Sequence, residues 1–312
     1  MPSLVAARHD TVARAETLAY AGLLLTSCAW AAAFIAGKVV LREMTPNVAA
    51  TWRYAVAAVA LLPWVWSQRP PLAVLRPVAV PLAVMVVCGG VLYQSIFLLA
   101  LQRTTATNTS LLIALNPVFT LLLGTTIGER IDVRCLRGVL LALVGAAIVI
   151  THGDWQQASA FAHLSFSSGD VLAITAALCW ACFNVASHRV VHVLSASFTN
   201  GLVYGIGALA LALVSWNEHP GAQLLAASSA AYAGIAVMGI GSSVVAGQLF
   251  LFGIRTVGVQ RTVVFIYLVP MLTALSSVVL LGESLYVAQA VGGAAVLGGV
   301  YWTNRRRTPL AA

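Results

Sequence analysis

Ten stretches of this chain are apolar for long enough to cross a lipid bilayer, and that removes most folds from consideration. A spanning helix needs about 20 mostly apolar residues, each rising about 1.5 Å, to cross about 30 Å of hydrocarbon. Runs at 17–41, 47–66, 77–102, 105–127, 134–152, 168–192, 197–216, 230–254, 259–281 and 286–303 meet that need, and are called spans 1 to 10 below. The alternating segments of about ten residues that membrane strands require do not occur. The predicted fold class is an all-α polytopic membrane protein of ten transmembrane helices. Composition agrees. Of 312 residues, 60% are hydrophobic and 8% are charged, whereas a soluble domain carries about 25% charge. So little charge cannot coat a soluble enzyme of this size, and disorder needs the opposite balance.

Charge also predicts orientation. The net charge is +8, from 17 Lys+Arg against 9 Asp+Glu. With the N-terminus inside, 13 basic residues fall in cytoplasmic segments (among them Arg8, Arg14, Arg69, Arg76, Arg130, Arg134 and Arg305-Arg306-Arg307). Only Lys38, Arg42, Arg53 and Arg103 then lie towards the outside, which is the asymmetry of a membrane protein with both termini cytoplasmic. The basic residues form no stripe for a phosphate backbone, so nucleic acid is not an expected partner. Residues 1–16 read as a cytoplasmic tail with no secretory signal, and the first run is long enough to remain a helix. Cys28, Cys88, Cys179 and Cys182 sit inside apolar runs and Cys135 begins one, so no disulfide framework is implied.

The chain repeats itself. Span 4 holds Asn116-Pro117, Thr120, then Gly128-Glu129, Gly138 and Gly145. Span 9 holds Val269-Pro270, Thr273, then Gly282-Glu283, Gly292 and Gly299. The glutamate-to-glycine spacings are 9 and 16 in both copies. Trp30 in span 1 matches Trp180 in span 6, and eight residues beyond each comes Lys38 or His188. The offset is 150 early in the repeat and 153–154 late. Each copy has five spans. Five is odd, so the second copy enters from the opposite face, which makes an inverted repeat of the kind found in many secondary transporters. The predicted organisation is a tail at 1–16, a first repeat at 17–152, an outer loop at 153–167, a second repeat at 168–303 and a cytoplasmic tail at 304–312.

On these residues the sequence resembles the drug/metabolite transporter superfamily: two five-helix halves, each with a tryptophan in its first helix and proline then Gly-Glu near its end. Within it the chain is most similar to the ten-helix EamA-type exporters, above all the YddG-type exporters of aromatic and other amino acids. The resemblance covers about residues 17–303. It implies a basket of helices around a central cavity, with spans 5 and 10 at the edge, and an amino-acid exporter of the bacterial inner membrane.

Candidate site residues follow from polar, aromatic or helix-breaking side chains at depth. Pro117 and Pro270 each disturb the helix one turn back, freeing the carbonyls of Ile113 and Ile266. Freed carbonyls in a membrane find partners or line a wet cavity, and the alternative is a kink for packing. Asn116 and Tyr267 sit beside the breaks and are expected to face inward. Trp30 and Trp180 lie near helix centres rather than at the interface, either as walls of a substrate cavity or as fillers between helices. Phe34 and Asn184 share their faces one turn away. Tyr93, Gln94 and Gln248 either read a substrate's polar ends or bond neighbouring helices, and Ser242 and Ser243 are weaker candidates of the same kind. Lys38 and His188 lie near helix ends, where they attract a substrate carboxylate or snorkel to the interface. Arg53 is expected to pair with Glu43 or line an outer vestibule.

Other features carry less. His188 and His192 have metal-capable spacing but no third ligand, and no cofactor is implied. Cys179 and Cys182 form a C-x-x-C matched in the first copy by Ala29 and Ala32, which reads as small packing residues. All nine acidic residues map to ends, loops or tails. Proton-coupled pumps keep an ionisable group at depth, so passive, gradient-driven exchange or export, or coupling through a group other than a buried carboxylate, is expected. A lipid-modifying enzyme would need an acid/base pair or metal ligands at depth, and none is seen. The expected partners are the bilayer and a small-molecule substrate: an amino acid or, alternatively, an organic cation or other small metabolite. The oligomeric state is left open, a monomer being compatible with the sequence.

Overall fold

Hydroxyl residues and prolines set where the helices begin. Span 2 starts at Pro46, whose missing N–H costs nothing at the first helical position. The side chains of Thr105, Ser167, Ser195 and Ser228 accept from the backbone N–H three residues on, capping spans 4, 6, 7 and 8. Spans 8 and 9 end on Gly258 and Gly282, at φ 87° and 67°, a left-handed backbone that glycine adopts freely. The computed structural model describes residues 2–127, scattered positions from 137 to 148, and residues 167–304. Most of span 5, the Gly128-Glu129 motif, the loop 153–166 and the tail beyond residue 304 lie outside the described residues.

Seven helices among the described residues are long and apolar enough to span: Arg14–Val40, Pro46–Ser67, Leu72–Arg103, Ala106–Gly124, Ser168–Val190, Ala196–Val214 and Ser229–Val257. The shorter Phe265–Leu281 and Val287–Gly299 supply spans 9 and 10. The fold is all-α and polytopic, as the apolar runs require. Span 1 begins earlier than hydropathy suggests, running as one helix from Pro2, because the polar first turns include four alanines, strong helix formers. The segment between spans 7 and 8 carries its own short helix, Pro220–Leu225. Outward faces are apolar: Val59, Leu209, Leu213 and Val279 are all at least 70% exposed, which suits a surface bathed in lipid rather than water.

The inversion of the repeats is visible in contacts. Trp30 meets Trp180 at a centroid distance of 5.7 Å. Lys38, two turns later in span 1, donates to the Thr104 carbonyl at 2.6 Å. The Thr104 hydroxyl in turn donates to Asp170, which lies ten residues before Trp180. Spans 1 and 6 therefore run in opposite directions. The turns that follow them are copies: Glu43 and Met44 donate to the Val40 carbonyl at 3.0 and 2.9 Å, and Val193 and Leu194 donate to the Val190 carbonyl at the same distances. Spans 5 and 10 also meet antiparallel. A Cβ on Gly145 would lie 2.5 Å from the Gly292 carbonyl, and one on Gly299 would lie 2.5 Å from that of Gly138. The repeated glycines thus close on each other, backbone to backbone.

Two local departures from α geometry also repeat. Span 3 widens into a π-helix at Met85–Leu92 and span 8 at Val237–Val245. Such wide turns leave carbonyls with weakened partners and gather at functional sites. Helix 4 breaks at Ala114-Leu115, between Ala106–Ile113 and Asn116–Gly124. Span 9 narrows to a 3₁₀ turn at Val264–Tyr267 before Leu268–Leu281. These two breaks precede Pro117 and Pro270 as the ring geometry of proline demands.

Candidate functional site

The wide turns and the proline breaks face a common space. Ile113 and Ile266, one turn before the paired prolines, both line the central cavity. So do Gly89 from the first π-helix and Ser242 and Ser243 from the second. The unfilled space among these residues is about 840 Å³, open solvent at its mouth included.

Aromatic rings make most of the wall. Trp180 stacks on Phe183 at 4.6 Å, tilts against Tyr93 at 4.7 Å and meets Trp30 edge-on. Trp30 packs on Phe250 at 5.0 Å and donates its indole N–H to the Ser242 carbonyl at 3.2 Å. Tyr54 and Tyr204 face each other at 4.8 Å. Each gives its hydroxyl proton to a π-helix of its own half, Tyr54 to the Gly89 carbonyl and Tyr204 to the Ser243 carbonyl. One carbonyl of each wide turn is thereby satisfied.

One formal charge enters this wall among the described residues. Arg53 is 7% exposed, and its Nε and Nη2 donate to the hydroxyls of Ser243 and Ser242, each at 2.9 Å. Ser243 passes its own proton to the Met238 carbonyl, which turns its lone pairs towards the guanidinium. The rings of Tyr54 and Phe97 flank the charge at 5.9 and 6.0 Å. Arg53 therefore does not pair with Glu43, one of the two expectations from sequence, and lines the central cavity. Its side chain leans down into the bundle, where span 8 offers two hydroxyls, and Glu43 is engaged by the backbone and hydroxyl of Ser228 at 2.7 and 2.6 Å.

Of the residues singled out from sequence, Trp30, Phe34, Tyr93 and Trp180 line this cavity. Asn116 and Asn184 do not. The Asn184 amide donates to Asn116 and Thr120, and Asn116 donates to the Ala177 carbonyl, a buried network that ties span 4 to span 6. Gln94 is fully buried with neither amide atom bonded, and the Gln248 amide nitrogen is also unpaired, yet neither lines the cavity. Tyr267 is buried and does not line the cavity, although Ile266 and Val269 beside it do. Lys38 borders a second hollow with Arg42, Gln102 and Glu283. His188 is exposed and meets the His192 ring at 5.8 Å.

Sequence reasoning missed Tyr54, Phe97, Phe183, Asn200, Tyr204 and Phe250, all of which line the cavity. The repeat could have found most of them. Tyr54 and Tyr204 stand 150 residues apart, as Trp30 and Trp180 do, and Phe97 and Phe250 stand 153 apart, the late offset.

Carboxylates gather instead at the end of the bundle that holds Lys38. Glu283 accepts from the backbone of Ala106 and Thr107 at the start of span 4. Glu218 binds Thr45 and Asn47 at the start of span 2, and Glu43 caps span 8. Acidic groups at helix N-termini meet the positive end of the backbone dipole. Each of these clasps joins one half to the other. At the opposite end, Arg261 and Glu16 approach at 3.9 Å.

The EamA-like transporter family matches residues 17–151 and again residues 167–305. A Bacillus subtilis (strain 168) protein, "Uncharacterized transporter YyaM", is 29% identical over 90% of this chain and 92% of its own. A "Probable terminal-alkyne amino-acid exporter" of Streptantibioticus cattleyicolor is 28% identical over 91% of this chain and 92% of its own. A solved crystal structure, 21% identical, shares the fold with a TM-score of 0.66 over 96% of this chain and 99% of that one. Matched by that family in two successive copies, the chain belongs to the EamA-like transporter family and is a membrane transporter, not an enzyme.

Proposed function

We propose that the chain exports amino acids, favouring aromatic and other apolar side chains, by alternating access across the bacterial inner membrane. The observation that carries this reading is the aromatic cavity at the contact of two inverted halves, with Trp30 and Trp180 meeting across it. Rings of that kind stack on an apolar substrate body and gain about 0.5–1.5 kcal/mol per aromatic pair. Similarity to a relative named as an amino-acid exporter supports the substrate class. An organic cation fits less well, because it would meet the like charge of Arg53 in the same wall. No Asp or Glu is among the described residues that line the cavity, so transport runs down the substrate gradient rather than through a buried carboxylate proton carrier.

The basic-residue asymmetry puts both termini in the cytoplasm, and the end clasped by Glu43, Glu218 and Glu283 then faces outward. Counterflow in proteoliposomes tests the function, with a panel of amino acids, amines and sugars. Accelerated exchange of phenylalanine or leucine is expected without an imposed pH gradient. Flux that depends strictly on such a gradient, or that appears only for amines or sugars, overturns the reading. Labelling of Ala160→Cys from outside, with a C-terminal cysteine reached only from inside, tests the orientation.

A further inference from the structure

We infer that Arg53 anchors the substrate carboxylate, and that the site demands this carboxylate while remaining indifferent to the α-amino group. This rests on the amino-acid reading above and narrows it to a class: monocarboxylates with an apolar or aromatic body, whether or not they carry an amine.

A guanidinium is charged at every accessible pH, and a charge at depth in a membrane is costly unless it has a use. Buried charges ordinarily meet an opposite charge. Arg53 meets two neutral hydroxyls, Ser242 and Ser243, and no acidic residue is found among the described residues around the cavity. Those serines take Nε–H and one N–H of Nη2, leaving further donors in the guanidinium fork. Nη1 makes no hydrogen bond among the described residues, and together with the second hydrogen of Nη2 it presents the parallel pair that a carboxylate accepts bidentately. The serines and the flanking Tyr54 and Phe97 rings fix the fork in place, so little freedom is lost on binding.

A second donor points to the same ligand. Asn200 lines the cavity, is 1% exposed, and its amide nitrogen has no hydrogen-bond partner. A buried donor left unpaired costs free energy that an incoming acceptor recovers. Charge and unpaired donor both call for an anion. An ammonium meets no carboxylate among the described residues of this wall, and the Arg53 charge opposes it.

The test compares three ligands that share one aromatic body: L-phenylalanine, 3-phenylpropionate and 2-phenylethylamine. Each is titrated into the purified full-length protein while intrinsic tryptophan fluorescence is followed. The two acids are expected to bind within about tenfold of each other, with the amine at least about 100-fold weaker. Arg53→Gln is expected to weaken both acids by about 100-fold and Arg53→Lys by less, since a lysine keeps the charge but not the fork. The anchor is overturned if the amine binds as well as the acids, if neither acid binds, or if Arg53→Gln binds the acids normally. Should Arg53→Gln not fold, the ligand ranking and Arg53→Lys decide alone. Correct ranking without counterflow of phenylalanine would defeat the export reading and leave the anchor standing. Counterflow inhibited equally by acid and amine would do the reverse.

Discussion

The duplicated halves place the same contact on each side of the cavity and fill it differently. Residue 53 of span 2 crosses to the π-helix of the other half, where Arg53 meets Ser242 and Ser243. Its counterpart 150 positions on, Val203 of span 7, crosses to the first half's π-helix and packs on Gly90. A Cβ on Gly90 would lie 2.9 Å from the Val203 carbonyl, so that side closes backbone to backbone. Arginine with two serines faces valine with two glycines. The lesson is that symmetry and asymmetry do separate work. Matched tryptophans, tyrosines and phenylalanines build a wall usable from either face, while one unmatched charge gives the pocket a chemical polarity.

Moving the charge gives the largest expected break in that comparison. Arg53→Val combined with Val203→Arg should bind carboxylates about 100-fold more weakly, as Arg53→Gln does, because Gly89 and Gly90 offer no hydroxyls to hold a guanidinium. Recovery of binding, read by the same fluorescence titration, would mean that the serines are dispensable. Next comes the close-packed side. Gly90→Ser, which makes the first half resemble the second, drives a side chain against the backbone and should cost about 1–3 kcal/mol, seen as a lower Tm in detergent. The mirror change, Ser243→Gly, should leave Tm less affected and weaken carboxylate binding instead.

These pairings explain what was legible in the sequence. Spans, inversion and the paired breaks could be read because hydropathy, residue parity and proline act locally along the chain. Trp30, Phe34, Tyr93 and Trp180 could be read because a ring at mid-span has few uses. Asn116 and Asn184 show the limit: a polar side chain at depth serves a neighbouring helix as well as a ligand, and only the packing of span 4 on span 6 decides. Arg53 was placed at the rim because its Cα lies two turns into span 2. A long side chain reaches several ångströms from its Cα, and its direction depends on what span 8 offers.

Smaller effects sharpen the same contrast. Tyr204→Phe removes a bond of about 1 kcal/mol to the turn whose serines hold Arg53, so carboxylate affinity should fall about fivefold. Tyr54→Phe loses the equivalent bond on the apolar side and should lower Tm with little change in affinity. The smallest effect is on pH. The Ser228 hydroxyl, and then its backbone N–H, hold the Glu43 carboxyl below its usual range. A lowered folded-state value means that the clasp is fully present above the ordinary carboxylate range and is lost as pH falls through the lowered value. The protection of the Ser228 amide against hydrogen exchange, taken relative to its intrinsic rate at each pH, should therefore stay high at neutral pH and fall only in acid. Loosening that begins near neutrality would assign the clasp to another group.

Where Gly138 and Gly145 of span 5 meet Gly299 and Gly292 of span 10, main chain lies against main chain. Neither lipid nor a rotamer change can open such a seam by degrees. On the alternating-access reading, rocking of one half against the other would turn about this seam, with displacement growing with distance from it. On that reading the two glycine pairs would set the axis of the transport stroke as well as the closeness of the packing.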